Sequence, residues 1–205
     1  MKIELTKVGK RYGREWIIRQ IDFTFQPGGR YAITGPNGVG KSTLLRMLSG
    51  HLTPSRGQIA FSLNQQPLRV DEVYRQLSYA APYIELIEEF TLPEAVRFHQ
   101  RFKPFLDGMD AAVLLDVLAL PKARHTLIRD FSSGMKQRLK LALALLSDTA
   151  LVLLDEPTTN LDAQGAEWYL GLVEQYTRHR VLIVASNVPS DYQFCNQHLS
   201  ILDYK

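Results

Sequence analysis

Short runs rich in Val, Ile and Phe fall at residues 2–8, 17–25 and 30–34, with glycine or proline between them, and predict strands with hairpin-like edges. From Thr43 the apolar positions take a helical spacing through Leu44, Leu45, Met47 and Leu48 and stop at Gly50, a residue type favoured just past a helix end. Pro54, Ser55 and Gly57 then make a turn, and residues 58–63 and 76–81 read as further extended pieces. From about residue 88 to 147 the pattern is mostly helical: Pro93 suits a first helical turn, Ala95, Val96, Phe98 and Phe102 recur on one period, and Val113, Leu114, Val117 and Leu118 continue it in a second helix. Two continuous apolar runs follow, at 150–154 and 181–185, and fit strands buried on both faces of a parallel sheet. The pattern predicts an α/β chain: one domain over 1–205, with a core of 1–87 and 148–205 and an inserted helical lobe over about 88–147.

Composition narrows the class of molecule. With 205 residues, 45% hydrophobic and 22% charged, the chain has the make-up of a globular protein with a sizeable core. The net charge is only +3 and no dense basic run occurs, so no nucleic-acid partner is expected. The longest apolar runs fall well short of the roughly 20 residues that cross a bilayer, and residues 1–5 carry no signal-peptide pattern, which predicts a cytoplasmic location. Cys195, the single cysteine, reads as a small buried apolar residue rather than a reactive thiol.

The strongest chemical signal is Gly35-Pro36-Asn37-Gly38-Val39-Gly40-Lys41-Ser42, followed by Thr43. It matches the pattern G-x-x-x-x-G-K-[ST], in which backbone N–H groups converge on phosphate oxygens without side-chain obstruction, with a predicted strand before it and a helix after it. Lys41 would reach the outer phosphates of ATP and the Ser42 hydroxyl would ligate magnesium. The run 150–154 leads into Asp155 and Glu156, carrying an acidic pair to the carboxyl edge of the sheet, where open parallel sheets bind ligands. Asp155 would hold the magnesium shell, and Glu156 would polarise a water for attack on the terminal phosphate.

These residues, together with Phe131-Ser132-Ser133-Gly134-Met135-Lys136-Gln137-Arg138 and Thr158-Thr159-Asn160-Leu161-Asp162, resemble the ATP-binding-cassette (ABC) ATPases over nearly the whole chain. The resemblance implies a P-loop fold of the ABC type, with a mostly parallel core sheet, an N-terminal antiparallel β region and a helical lobe. It also implies that Ser132 and Gly134, at a helix N-terminus, complete the ATP site of a facing second subunit. Ser132 equally suits the cap of its own helix. Tyr12 stands where the family stacks an aromatic on adenine, and Asp162 stands where a loop acid couples the two facing sites.

Two positions depart from the family pattern. Where a glutamine usually follows the strand into the lobe, this chain reads Tyr79-Ala80-Ala81-Pro82, with Glu85 the candidate substitute. Where a histidine usually follows the last core strand, the counterpart is Asn187, which hydrogen-bonds but carries no titratable proton. ATP binding with slow or partner-dependent hydrolysis is therefore expected. The leading functional reading is the ATPase subunit of a transporter, pairing with a second cassette and an integral membrane permease on the inner face of the membrane. A soluble ABC protein or a regulatory cassette is the alternative. The apolar residues Ile84, Leu86, Ile87 and Phe90, beside Glu85, Glu88 and Glu89, mark the region where the family docks its permease.

Overall fold

A computed structural model describes residues 1–120 and 123–205. The N-terminal strands β1 (Lys2–Tyr12) and β2 (Glu15–Phe25) form an antiparallel hairpin, and β4 (Arg56–Leu63) and β5 (Gln66–Leu68) extend it into a sheet ordered β2-β1-β4-β5. The second sheet has five strands in the order β6-β7-β8-β3-β9, all paired in parallel. Its members are β3 (Arg30–Thr34), β6 (Leu77–Ala80), β7 (Leu151–Asp155), β8 (Val181–Ala185) and β9 (Gln197–Ser200). The two continuous apolar runs are its centre, and every residue of β7 and β8 is buried. Register decides the site: Asp155 pairs with Ala185, and Ala185 with Ile33, so the chain leaves all three strands along one carboxyl edge.

One face of the parallel sheet packs on α1 (Lys41–Leu48) and the antiparallel sheet, through Ile33, Leu44, Leu48, Leu153 and Ile183. The opposite face packs on α4 (Ser133–Leu146) and α5 (Ala163–Tyr176). Helix α4 is apolar on two sides. Leu141, Ala144 and Leu145 meet the sheet, whereas Leu139, Ala142, Leu143 and Leu146 meet α2 (Leu92–Phe102) and α3 (Ala111–Leu118). Helix α2 begins with a capping box, in which Glu94 accepts from the Thr91 amide at 2.8 Å, and Pro93 lies in its first turn as the sequence predicts.

The differences from the sequence reading have local causes. Strands β5 and β9 were not predicted because each is too short to show a period. The β4–β5 turn is made by Asn64 and Gln65, both with positive φ, without the glycine that would have announced it. Helix α1 starts at Lys41, two residues before the apolar spacing begins, because the loop itself feeds the helix. Cys195 is buried as predicted, and burial pushes its thiol up to about 12, which keeps it protonated.

Candidate functional site

The carboxyl edge of the parallel sheet brings together the glycine loop after β3, the acidic pair after β7 and the loop after β8. Gly40, the residue before α1, has φ 116°, and a Cβ there would lie 2.7 Å from Ile17 Cγ2, so the loop conformation requires glycine. Lys41 is buried, and its ammonium donates to the carbonyls of Gly35 at 2.9 Å and Pro36 at 3.2 Å, folded across the mouth of the loop. Pro36, Asn37 and Gly38 are exposed at the tip, Val39 is buried beneath it, and Ser42 and Thr43 open α1.

Asp155, at the last position of β7, is only 2% exposed. Its Oδ2 accepts from the Tyr83 hydroxyl at 3.1 Å, while its Oδ1 is buried with no hydrogen-bond partner. Burial raises its pKa above the ordinary carboxylate value, and the Ser42 and Tyr83 hydroxyls draw it back down. Glu156, next along, sits in the left-handed region at φ 45°, an uncommon conformation for a side-chain-bearing residue and one that clusters at functional sites. The conformation is held from both sides: the Glu156 amide donates to the Ala185 carbonyl at 2.8 Å, and the Thr159 amide donates to the Glu156 carbonyl at 3.1 Å.

The remaining predicted residues take up varied surroundings. Ser132 caps α4, accepting from the Met135 amide at 3.2 Å, and Asp162 caps α5, accepting from the Gly165 amide at 2.7 Å. Gly134 is pressed against the loop that follows Glu156, since a Cβ there would lie 2.9 Å from the Asn160 carbonyl oxygen. Asn187 is exposed just past β8. Tyr12 is 51% exposed at the end of β1 and lines a cleft of about 650 Å³ with Arg46, Tyr79, Tyr83 and Leu86.

Several structural partners of the site carried no signal of their own in the sequence. Buried Gln137 on α4 donates to the Pro157 carbonyl at 2.8 Å and fastens that helix to the segment after Glu156. Asp191, 1% exposed, accepts from Thr158 through Oδ1 and from Ser186 at 2.6 Å through Oδ2, so it joins the loop after β7 to the loop after β8. The residue that reaches Asp155 from the lobe side is Tyr83 rather than Glu85, which is exposed on the cleft wall. Gln137 lay inside a recognised motif. Asp191 and Tyr83 meet their partners only through the fold.

Comparison with known proteins places this arrangement. Residues 18–159 match the family model described as ABC transporter. The chain is 36% identical over 163 residues to the Nod factor export ATP-binding protein I of Rhizobium johnstonii, which covers 78% of this chain and 52% of that protein. It is 28% identical over 205 residues to a protein of the same name from Cupriavidus metallidurans, covering 98% of this chain and 68% of the relative. The chain thus spans about half the length of the first of these relatives. A bacterial ABC transporter cassette solved as a dimer superposes with a TM-score of 0.81 at 22% identity, covering 97% of this chain and 94% of that one. A bacterial Atm1-family ABC exporter solved with ATP bound gives 0.80 at 22% identity, over 97% of this chain and 37% of the exporter. At that identity the structural likeness establishes the fold.

Proposed function

The chain belongs to the ABC transporter family, and on that premise we propose that it is the ATP-binding and ATP-hydrolysing cassette of an exporter, acting through a second cassette and a membrane permease. One observation carries the reading: the phosphate loop and the Asp155–Glu156 strand end converge on one sheet edge, with a buried carboxylate oxygen left unpaired. A buried polar atom without a partner costs stability and is rare in native proteins, so Asp155 Oδ1 fits an acceptor reserved for a ligand. The ligand it suits is magnesium, a hard cation that takes one or two protein oxygens and completes its shell with phosphate and water. Asp155 and Ser42 would hold it, and when bound it neutralises charge on the outer phosphate oxygens.

The chain's own groups divide the remaining work. The loop amides from Gly35 to Thr43 and the N-terminus of α1 bind the phosphates, and Lys41 turns from its carbonyl contacts to the terminal ones. Tyr12 stacks on the base. Glu156 accepts a proton from the attacking water, oriented by its fixed left-handed backbone. Asn187, lacking a titratable proton, positions the phosphate or the water without proton exchange, and hydrolysis is slow until a partner completes the site. Ser132 and Gly134 offer a solvent-facing helix N-terminus to the terminal phosphate held by a second cassette, and Asp162 faces the same interface.

Export is the direction favoured by the relatives named as export ATP-binding proteins. The cleft lined by Ile84, Glu85 and Leu86 is the seat for a permease segment. Among the described residues no helix is long and apolar enough to cross a membrane. Titration with magnesium and ATP, followed by calorimetry, tests the reading. Saturable binding that is lost in Lys41→Ala is the expected result, and equal binding by both proteins would overturn it.

A further inference from the structure

Tyr83 lies on the irregular segment between β6 and α2, outside every residue the phosphate site was expected to use. Its hydroxyl donates to Asp155 Oδ2 at 3.1 Å and is itself hydrogen-bonded to the Tyr79 hydroxyl. Since Asp155 accepts, the direction is fixed: Tyr79 donates to Tyr83, and Tyr83 donates to the carboxylate. The two rings meet edge to face at 6.3 Å, and the Arg46 guanidinium covers the Tyr83 ring at 4.6 Å from its centroid. Arg46 stands on α1, the helix that begins with Lys41 and Ser42, so the ring is clasped by the element that also carries the phosphate loop.

Hydrogen bonds to a carboxylate help to set which way each of its oxygens faces. Here Oδ2 is held by a donor whose own position is fixed at three points, and Oδ1 is left buried and unpartnered. We propose that Tyr83 is a positioning residue for the magnesium ligand: its hydroxyl, backed by Tyr79 and clasped by Arg46, sets the rotamer of Asp155 so that Oδ1 faces the metal. This rests on the magnesium site proposed above and names the residue that orients it. It also gives the chain, by a hydroxyl, a connection between the metal ligand and the wall of the lobe cleft, because Tyr83, Tyr79 and Arg46 all line that cleft.

The test compares equilibrium affinity for the non-hydrolysable ATP analogue AMP-PNP in magnesium and in EDTA. The ratio of the two affinities isolates the metal's contribution and does not depend on turnover. Tyr83→Phe keeps the ring, the Arg46 contact and the packing, and removes only the hydroxyl. Loss of a hydrogen bond to a buried charged oxygen is expected to lower the ratio by about tenfold, with affinity in EDTA unchanged. Tyr79→Phe, which removes the donor behind Tyr83, is expected to lower it by only about twofold, since a polarising neighbour adds a fraction of one bond.

An unchanged ratio in Tyr83→Phe overturns the inference, as does an equal loss in magnesium and in EDTA, which would mark a purely structural role. A wild-type protein that binds AMP-PNP equally well with and without magnesium overturns it too, while leaving the phosphate-loop reading intact. A wild-type protein that binds no nucleotide in either buffer removes the proposed function itself, a failure distinct from that of Tyr83.

Discussion

At the amino end of the parallel sheet Arg180 is 6% exposed and fully engaged: its guanidinium donates to the carbonyls of Thr149 at 2.6 Å and Leu145 at 2.5 Å, and to the hydroxyls of Thr149 at 2.6 Å and Ser78 at 3.2 Å. At the carboxyl end Asp155 is as deeply buried, yet one of its oxygens has no partner. The same five strands therefore end in two kinds of polar cluster. One is closed by the chain's own acceptors, including the last carbonyls of α4, where a cation also meets the negative end of the helix. The other is held open, with a left-handed backbone at Glu156 and a lysine folded over its own loop. Among the described residues only one other buried side-chain polar atom lacks a partner, Arg138 Nε, whose guanidinium lies 4.7 Å from the centroid of Trp168. On the proposed reading the closed end adds to stability, and the open end gives up some of it to keep a place for a ligand.

On that division, a substitution among the reacting groups of the open end changes chemistry and leaves stability nearly untouched. Glu156→Gln is the sharpest case, because it preserves shape and hydrogen bonding and removes only the basic oxygen. ATP turnover is expected to fall by about 10³-fold, within the range for loss of a general base, while nucleotide affinity is retained. A single-turnover assay beside a binding isotherm separates the two. Unchanged turnover would remove Glu156 from its assigned role.

The closed end is expected to answer in the opposite currency. Arg180→Ala takes the donors from the buried carbonyls of Thr149, Leu145 and Ala144 and from the hydroxyls of Ser78 and Thr149, and removes a cation already held down to about 10 by burial. A loss of about 3–4 kcal/mol in urea unfolding is expected from breaking such a buried charged network. Nucleotide affinity of the surviving folded protein should stay within about twofold, since no contact of Arg180 reaches the phosphate loop. Asp191 tests whether the open end has a stable foundation. Asp191→Ala leaves the Thr158 and Ser186 hydroxyls without their acceptor, and is expected to cost about 2 kcal/mol and to slow turnover by loosening the loops that carry Glu156 and Asn187. A stability loss with turnover unaffected would show that the two loops hold their places independently.

The two ends also differed in how far the sequence announced them. The phosphate loop and the acidic strand end are contiguous patterns, because a loop that wraps phosphate must take its amides from neighbouring residues. Their meeting followed from two apolar runs long enough to be read as parallel strands, β7 and β8. The residues that tune or seal these ends were silent for the opposite reason: Tyr83 meets Asp155 across 72 positions, Thr158 meets Asp191 across 33, and Arg180 meets Ser78 across 102. No local period encodes such pairs. A buried arginine followed by a strand looks like any loop cation until the helix end beside it is known. The helical stretch was legible as helix but not in detail, since its turns between α2, α3 and α4 depend on caps such as Asp110, which accepts from the Val113 amide at 2.9 Å.

The closed end should have one weak point, and it is a proton. His99 on α2 lies beside the start of the sheet, stacked on Phe105 with centroids 5.9 Å apart, and its Nε2 is 2.8 Å from the Ser147 hydroxyl. That hydroxyl already donates to the Leu143 carbonyl at 2.6 Å, so its oxygen must accept from His99, which fixes the neutral imidazole with its proton on Nε2. Burial, with the nearby Lys103 ammonium adding to it, lowers the His99 pKa to about 4. The unfolded chain therefore takes up this proton first: the stability contributed by neutral His99 is complete above the ordinary value near 6.5 and is lost as pH falls from there through about 4. By about pH 5 the loss should reach about 1–2 kcal/mol, smaller than the other effects because the ring is not wholly enclosed. Urea midpoints measured between about pH 7 and 5 should fall less in His99→Gln than in the wild type, since glutamine keeps a donor for Ser147 and has no proton to gain. Parallel slopes for the two proteins would remove His99 as the source of acid sensitivity in this range, because Asp71 and Glu94, whose pKa values are lowered by hydrogen bonds from Arg69 and Thr91, give up their stabilising effect only at lower pH.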